Sequence, residues 1–203
     1  MKGGRTAAVV LFLAAFAVGA TIYFSPQRPS VSVAMEKAAP VVPRPLRLPL
    51  KEPRVVIRKR ARELTLFDGA EPLRRYRVVL GANVSGDKER EGDKRTPEGT
   101  FYICTRNDAS RFHKFMGLSY PAPSDALRGL QAGMITRSEN DAILKAHELK
   151  SCPPWKTALG GEVGIHGGGI DRDWTLGCIA LTNEAIDELW SALKMGDPVV
   201  IEP

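Results

Sequence analysis

The chain has 203 residues, enough for one domain of ordinary size with additional segments. Its formal charge of +6 is unevenly spread, because residues 1–62 carry a net +10 and residues 63–203 the remaining −4. The basic part contains no aromatic residues after position 24, so its charge does not predict nucleic-acid binding. The three histidines and three cysteines show no CxxC, HxxxH or HExxH spacing, which argues against a catalytic metal. We therefore expect no metal site and no cofactor.

Residues 1–24 predict a membrane anchor. Behind Lys2 and Arg5, residues 6–24 form an uncharged apolar run of nineteen residues, long enough to cross a bilayer as a helix. A signal peptide cleaved after Ala20 is the alternative, although such peptides usually have a shorter core of roughly 7–15 residues. An anchor would attach the rest of the chain to a membrane, and a signal peptide would direct its export across one.

Residues 25–53 predict a tether. Seven of the fifteen prolines lie there, which disfavours a helix and favours an extended spacer. Its positive charge would be solvated, or attracted to anionic lipid or wall polymer.

Residues 54–203 predict a domain that begins with β-strands. Three segments with β-branched or alternating patterns predict strands over Arg54–Arg58, Glu63–Phe67 and Arg74–Leu80. The turn signal Asp68–Gly69 predicts that the second and third form a hairpin. Two further strands are predicted, over Thr100–Cys104 and Val199–Ile201.

Two helices are predicted in the same domain. Ser138 is the expected cap of the first, which ends before Pro153. Asn183 is the expected cap of the second, whose apolar residues recur at helical spacing and predict core packing: Ile186, Leu189, Trp190 and Leu193. Strands with a few separate helices predict an α+β fold that is mostly β, a sandwich or barrel with peripheral helices.

The segment GIHGGGIDRDWTLGCIALTN, residues 164–183, carries the candidate chemistry. Val163–His166 and Cys178–Leu181 each predict a short strand, and neighbouring strands would bring imidazole and thiol to one sheet edge. The glycines between them would permit left-handed torsions and close approach to a bound peptide. Cys178 would then be a nucleophile and His166 its base, then the acid for the leaving amine. The backbone N–H groups of Gly177 and Cys178 would hold the oxyanion, whereas a buried cysteine beside a structural histidine is the alternative.

Two strings of residues resemble one family. His166–Gly167 followed by Thr175–Asn183 resembles the signature of the L,D-transpeptidase catalytic domain, the YkuD family, and most of all its YafK/ErfK-like branch. Lys88–Phe101 resembles the family's G-D-x-x-T-P-x-G-x-[FY] segment, and Ser110–Pro121 is also similar to that branch. Many relatives carry other residues at the positions of Leu176 and Ala180. The contacts that those relatives make with the acyl-donor substrate are therefore not assigned to this chain.

The resemblance implies an L,D-transpeptidase-like β domain that acts on peptidoglycan stem peptides outside the cytoplasmic membrane. It implies a thioester on Cys178, proton transfer by His166, and a backbone carbonyl in Gly167–Gly169 that orients the imidazole. The candidate substrate contacts are Gly167, Gly168, Trp174 and Thr175. An anchor and tether would keep such a domain in the cell envelope, within reach of the wall.

Other functions stay open at this point. The same site could act as an L,D-carboxypeptidase or amidase that cleaves cross-links or lipoprotein attachments. An inactive anchored module that only binds peptidoglycan, or a zinc hydrolase, would belong to different classes.

The remaining two cysteines pose a separate question. An envelope protein works in an oxidising compartment, and a nucleophilic Cys178 must stay unpaired. Cys104 and Cys152 would then form a disulfide or pack as separate thiols.

Overall fold

The structure is a computed structural model that describes residues 45–203. The predicted anchor and most of the predicted tether lie outside the described residues. The strands are β1 (Pro53–Arg58), β2 (Glu63–Asp68), β3 (Glu71–Arg77), β4 (Gly99–Ser110), β5 (His113–Leu118), β6 (Gly164–His166), β7 (Ile179–Ala180) and β8 (Pro198–Glu202). The helices are α1 (Pro123–Gln131), α2 (Arg137–Glu148) and α3 (Asn183–Ala192).

These strands form one sheet in the order β3-β2-β1-β8-β4-β5-β6-β7. Neighbours are antiparallel except for the parallel pairs β1–β8 and β6–β7. Just after β3, Val79 exchanges two backbone hydrogen bonds with Ala180 of β7, at 3.0 and 2.9 Å. This bridge joins the two outer strands, so the sheet curves into a half-barrel. The predicted mostly β class with few helices is confirmed for the described part of the chain.

The core fills the inside of this curved sheet. In β2, Leu64 and Leu66 are fully buried, and the predicted hairpin to β3 forms with Gly69 at φ +57°. Helix α3 covers the core with its predicted apolar stripe, of which Ile186 and Leu189 are fully buried. Burying each such side chain stabilises the fold by about 1.5–3 kcal/mol.

Several elements differ from the sequence-based expectation. β3 ends at Arg77, because the next residues leave it to pair with β7 and the loop before it. α2 is capped by Thr136, not Ser138: Thr136 accepts from the Glu139 N–H, and the Glu139 carboxylate accepts from the Thr136 N–H. α3 is capped by Thr182, whose hydroxyl accepts from the Ala185 N–H. β5 and α1 were not predicted.

The last residues of the predicted tether contact the domain. Leu46 and Leu50 are partly buried against the core. One carboxylate oxygen of Asp68 accepts the N–H groups of Lys51 and Glu52, at 3.0 and 2.6 Å. The ordered contacts of the domain therefore begin before residue 54.

A disulfide joins Cys104 of β4 to Cys152, which follows α2, with Cα atoms 5.0 Å apart. Of the two alternatives left open by the sequence, the bridge forms, and Cys178 remains the free thiol. Within residues 45–203, no helix combines the length and apolar character that crossing a bilayer requires.

Candidate active site

The parallel pair β6–β7 brings the two candidate catalytic residues together. His166 ends β6 and pairs in register with Ala180, while Cys178 immediately precedes β7. Both side chains line one cavity of about 590 Å³. The sequence-based prediction that the two strands are neighbours is thus confirmed.

His166 is held in one orientation by its surroundings. Its Nδ1 lies 2.6 Å from the carbonyl oxygen of Gly167; because a carbonyl only accepts, Nδ1 carries the proton and Nε2 keeps its lone pair. The Phe112 ring stacks on the imidazole at 4.6 Å, and Trp174 meets it edge-on at 5.6 Å. Burial lowers the pKa of His166, the Gly167 hydrogen bond raises it, and the Arg111 guanidinium lowers it further. The lowered pKa favours the neutral imidazole, and Nε2 has no hydrogen-bond partner within residues 45–203.

Cys178 is a neutral thiol in the resting site. Its Sγ lies 3.4 Å from the carbonyl oxygen of Glu162, which accepts the S–H. Burial raises the pKa of Cys178 to about 11, although the Gly164 N–H and the Lys88 ammonium lower it. The shifts of both pKa values oppose a preformed thiolate–imidazolium pair.

Gly167 and Gly168, which are expected to contact substrate, bind His166 and Asn183 in the structure. A side chain at Gly167 would place its Cβ 2.5 Å from the Asn183 amide oxygen, so only glycine fits there. That oxygen also accepts the Gly168 N–H at 3.0 Å. Neither glycine lines the cavity, and their contact with substrate stays a prediction.

Trp174 and Thr175, the other two expected contacts, do line the cavity. The indole of Trp174 donates to the Gly169 carbonyl at 3.3 Å, so its N–H is already used. The Thr175 hydroxyl donates to the Cys178 carbonyl at 2.7 Å and accepts the Gly177 N–H at 3.2 Å. Thr175 therefore shapes the backbone on both sides of Cys178.

The Lys88–Phe101 segment packs beneath the segment that carries Cys178. Gly177 has φ +144°, and a Cβ there would lie 2.9 Å from the Arg95 carbonyl oxygen. Thr96 accepts the Gly81 N–H at 2.9 Å. Asp93 accepts the ammonium of the buried Lys88 at 2.8 Å, together with three backbone N–H groups of residues 89, 90 and 95. The motif thus forms a rigid platform beneath the Gly177–Cys178 turn.

An ion pair holds Asp173 in the loop between β6 and β7. Arg62 contacts both carboxylate oxygens of Asp173, at 3.1 Å from Nε and 2.8 Å from Nη2. Asp173 also accepts the Leu80 N–H at 2.8 Å. Because Trp174 and Thr175 follow directly, this clamp sets where they enter the site.

Several cavity residues were not identified as site residues from the sequence. They are Lys88, Glu91, Arg111, Phe112, Trp155 and Glu162. Phe112 lies in the Ser110–Pro121 string that resembled the family, so a signal for it existed; Trp155 had none. Among residues 45–203, no group of three or more His, Cys, Asp or Glu residues is arranged to hold a metal ion.

Comparisons with known proteins identify relatives of this chain. YafK of Escherichia coli strain K12 and of E. coli O157:H7, which carry the name of an L,D-transpeptidase, are each 27% identical over 132 residues. The match covers 62% of this chain and 40% of theirs, so the chain spans less than half the length of these relatives. The crystal structure of the helical cell shape determining protein Pgp2 from Campylobacter jejuni shares the fold. It has a TM-score of 0.53 and 21% identity, over 74% of this chain and 47% of that one.

The family model of the L,D-transpeptidase catalytic domain, YkuD, matches residues 52–201. That range contains every strand and helix of the described residues except Glu202, the last residue of β8. Because the match covers most of the chain, this protein belongs to the L,D-transpeptidase catalytic domain family.

Proposed function

We propose that this protein is a cell-wall cysteine acyltransferase that acts on peptidoglycan stem peptides through a thioester on Cys178. Family membership supports the reaction class. The observation that carries the proposal is the arrangement of His166. Its Nδ1 is bound by the Gly167 carbonyl, which leaves Nε2 as the basic nitrogen, and its side chain lines the same cavity as Cys178, which is in no disulfide.

The first half-reaction would proceed from the neutral pair. As Cys178 Sγ attacks the scissile carbonyl carbon, His166 Nε2 takes the thiol proton. The tetrahedral intermediate then collapses, the C–N bond breaks, and His166 returns the proton to the leaving amine. The acyl group remains on sulfur as a thioester.

The second half-reaction decides the product. An amine acceptor attacks the thioester and gives its proton to His166, the C–S bond breaks, and Cys178 regains a proton. With an amine the product is a new amide, hence a cross-link or an exchanged D-amino acid. With water the same steps hydrolyse the peptide, which is the L,D-carboxypeptidase or amidase alternative.

The oxyanion would be bound by backbone N–H groups of the Gly177–Cys178 turn. The Cys178 N–H forms no hydrogen bond within residues 45–203 and is the first candidate. The Gly177 N–H donates to the Thr175 hydroxyl in the resting site. It can therefore bind the oxyanion only if it gives up that hydrogen bond. Removing such a donor typically costs about 10²–10³ in rate.

We further propose that the domain works in the cell envelope, outside the cytoplasmic membrane. The Cys104–Cys152 disulfide supports this location, because such bridges persist in oxidising compartments. The apolar run of residues 6–24 would provide the membrane anchor.

The test uses the full chain in detergent with muropeptides that carry tetrapeptide stems, and identifies the products by mass. New cross-links, exchanged terminal D-amino acids or shortened peptides would each identify one of the reactions above. Cys178→Ala should abolish turnover and Cys178→Ser should leave at most a trace, while both variants keep the wild-type thermal midpoint. A thioester adduct on wild-type Cys178, trapped by acid, should be absent from both.

Two outcomes would contradict the proposal. Turnover that survives Cys178→Ala would exclude covalent catalysis by this residue. Wild-type protein that binds peptidoglycan without altering any stem peptide would support the inactive binding module instead.

A further inference from the structure

Arg111 brings an unpaired positive charge to the active-site cavity. It lies in the turn between β4 and β5, is exposed to solvent and lines the cavity. Lys88, the other Lys or Arg of the described cavity wall, is paired with Asp93 at 2.8 Å. Within residues 45–203, no carboxylate lies at ion-pair distance from the Arg111 guanidinium, and none of its N–H groups forms a hydrogen bond. These donors are available to an anionic group of a ligand.

The guanidinium is held close to the catalytic base. Its carbon lies 4.6 Å from the centre of the Phe112 ring, and that ring stacks on the His166 imidazole with the two centres 4.6 Å apart. A cation over an aromatic ring is attracted by it, and this contact leaves the N–H groups, which lie in the guanidinium plane, able to bind an anion. Burial lowers the pKa of His166, and the charge of Arg111 lowers it further.

The turn that carries Arg111 is fixed to the rest of the domain. The carbonyl of Phe112 accepts the N–H of Lys114 at 3.1 Å. One carboxylate oxygen of Asp187, in α3, accepts from the Lys114 ammonium at 2.6 Å and lies 2.8 Å from Nε2 of His113. Binding of a ligand to Arg111 therefore does not have to order the backbone of this turn first.

The cavity wall on the Cys178 side carries the opposite charge. The carbonyl of Glu162 accepts the S–H of Cys178, and Glu162 and Glu91 are exposed residues that line the cavity. Glu91 lies against the same segment, because a Cβ at Gly160 would collide with its Oε2. Neither carboxylate forms an ion pair within residues 45–203. A carboxylate of a ligand is therefore repelled from this wall and attracted to Arg111.

The proposed reaction brings a carboxylate to the Arg111 side. His166 returns its proton to the leaving amine, so the leaving amino acid lies at the imidazole while the acyl group lies at Cys178. The contacts through Phe112 place the guanidinium carbon within about 9 Å of the imidazole centre. One amino acid bridges such a gap, because a residue spans about 3.3–3.6 Å and a hydrogen bond at each end adds about 2.9 Å.

We propose that Arg111 is a substrate-binding residue whose guanidinium binds the carboxylate of the leaving amino acid. The inference rests on the proposed function, which supplies a stem peptide as the acyl donor. The bond favours donors whose leaving amino acid has a free carboxylate, and the two glutamates oppose the reverse orientation. Arg111 is thus a specificity-determining residue.

The test compares two donor peptides on the full chain in detergent. One is a tetrapeptide stem with a free C-terminal carboxylate, and the other is the same peptide with a C-terminal amide. Wild-type protein should have a kcat/KM about tenfold higher for the acid, because the arginine–carboxylate bond is charge-assisted. Arg111→Gln should abolish this preference by slowing the acid alone. Arg111→Lys, which keeps the charge without the planar fork, should retain part of it.

The ratio of the two kcat/KM values separates binding from the effect of Arg111 on the base. Removing the guanidinium should also raise the pKa of His166, since Arg111 lowers it, but this changes the rates of both peptides alike. Arg172→Gln is the matched control. It removes the same charge from an exposed residue that does not line the cavity, and it should leave the ratio unchanged.

The outcomes distinguish this inference from the proposed function. Wild-type protein that turns over both peptides equally well would overturn the inference and leave the proposed function intact. A preference for the acid that survives Arg111→Gln, or an equal loss with both peptides in that variant, would do the same. Wild-type protein that turns over neither peptide would overturn both.

Discussion

The hydroxyl of Thr175 donates to the carbonyl oxygen of Cys178 over 2.7 Å. The Thr175 hydroxyl oxygen in turn accepts the Gly177 N–H over 3.2 Å, and Thr175 is only 3% exposed. One buried hydroxyl thus holds the peptide groups on both sides of the nucleophile. It also holds an N–H that would be needed for the oxyanion.

We expect Thr175→Val to lower kcat/KM by about tenfold or more. Valine has nearly the same shape but leaves the Cys178 carbonyl and the Gly177 N–H without a partner, a cost of about 1–3 kcal/mol each when buried. Thr175→Ser, which keeps the hydroxyl, should retain most of the activity. Steady-state turnover of a tetrapeptide stem measures the effect.

The matched control for this variant is Thr105→Val. Thr105 is half-buried in β4, and its hydroxyl forms no hydrogen bond within the described residues. Thr105→Val should therefore leave turnover unchanged. Equal losses in the two valine variants would show that packing, not the hydroxyl, accounts for the effect.

The neutral Cys178–His166 pair predicts a specific pH dependence. Because burial raises the pKa of the Cys178 thiol to about 11, its thiolate fraction should still be rising at pH 9–10. Alkylation of the resting enzyme by iodoacetamide should be slower at pH 8.5 than that of a free cysteine, and should keep increasing with pH. Because the pKa of His166 is lowered from 6.5, kcat/KM should fall only below that pH, as the base becomes protonated.

The pH dependence of alkylation and the pH dependence of kcat/KM can both be measured on the full chain, where Cys178 is the one free thiol of the described domain. His166→Ala serves as the control. It should lower the rate by about 10²–10⁴-fold and abolish the fall of kcat/KM at low pH. An alkylation rate that levels off near pH 6–7 would reveal a thiolate–imidazolium pair and contradict the neutral ground state.

The disulfide predicts a count of reactive thiols. In the denatured, non-reduced protein one cysteine should be alkylated, and after reduction three. Replacing Cys104 and Cys152 together by alanine should lower the free energy of unfolding by about 3–4 kcal/mol, because the bridge closes a long loop in the unfolded chain. Chemical denaturation measures the second effect. Three reactive thiols before reduction would contradict the bridge.

Much of the fold could be predicted from local sequence patterns. β1, β2 and their hairpin partner show β-branched or alternating residues, and the apolar stripe of α3 is periodic, so each is visible in a short window. β5 was missed because its sequence, HKFMGL, lacks such a pattern. It is a strand because β4 and β6 pair with its two edges.

The site required contacts that no local pattern contains. Thr182 and Asn183 are both good helix caps; Thr182 caps α3 because Asn183 instead holds Gly168, fifteen residues away. The pKa shifts of His166 and Cys178 arise from burial, which depends on the whole fold.

The segment before β1 leads to a prediction about the domain boundary. A fragment of residues 54–203 lacks Leu46 and Leu50, which pack against the core, and it begins inside β1. It also loses the two N–H donors that bind Asp68. We expect the 45–203 fragment to be more stable than the 54–203 fragment by about 1–3 kcal/mol, on the scale of one partly buried side chain and one hydrogen bond.

Urea denaturation of the two fragments measures the difference, and turnover at 25 °C checks the site. Neither leucine lines the cavity, so the two folded fragments should have the same kcat. The double variant Leu46→Ala, Leu50→Ala of the longer fragment should show most of the same loss of stability. This comparison separates the contribution of packing from that of chain length. If both fragments unfold at the same urea concentration, residues 45–53 belong to the tether and the domain begins at residue 54.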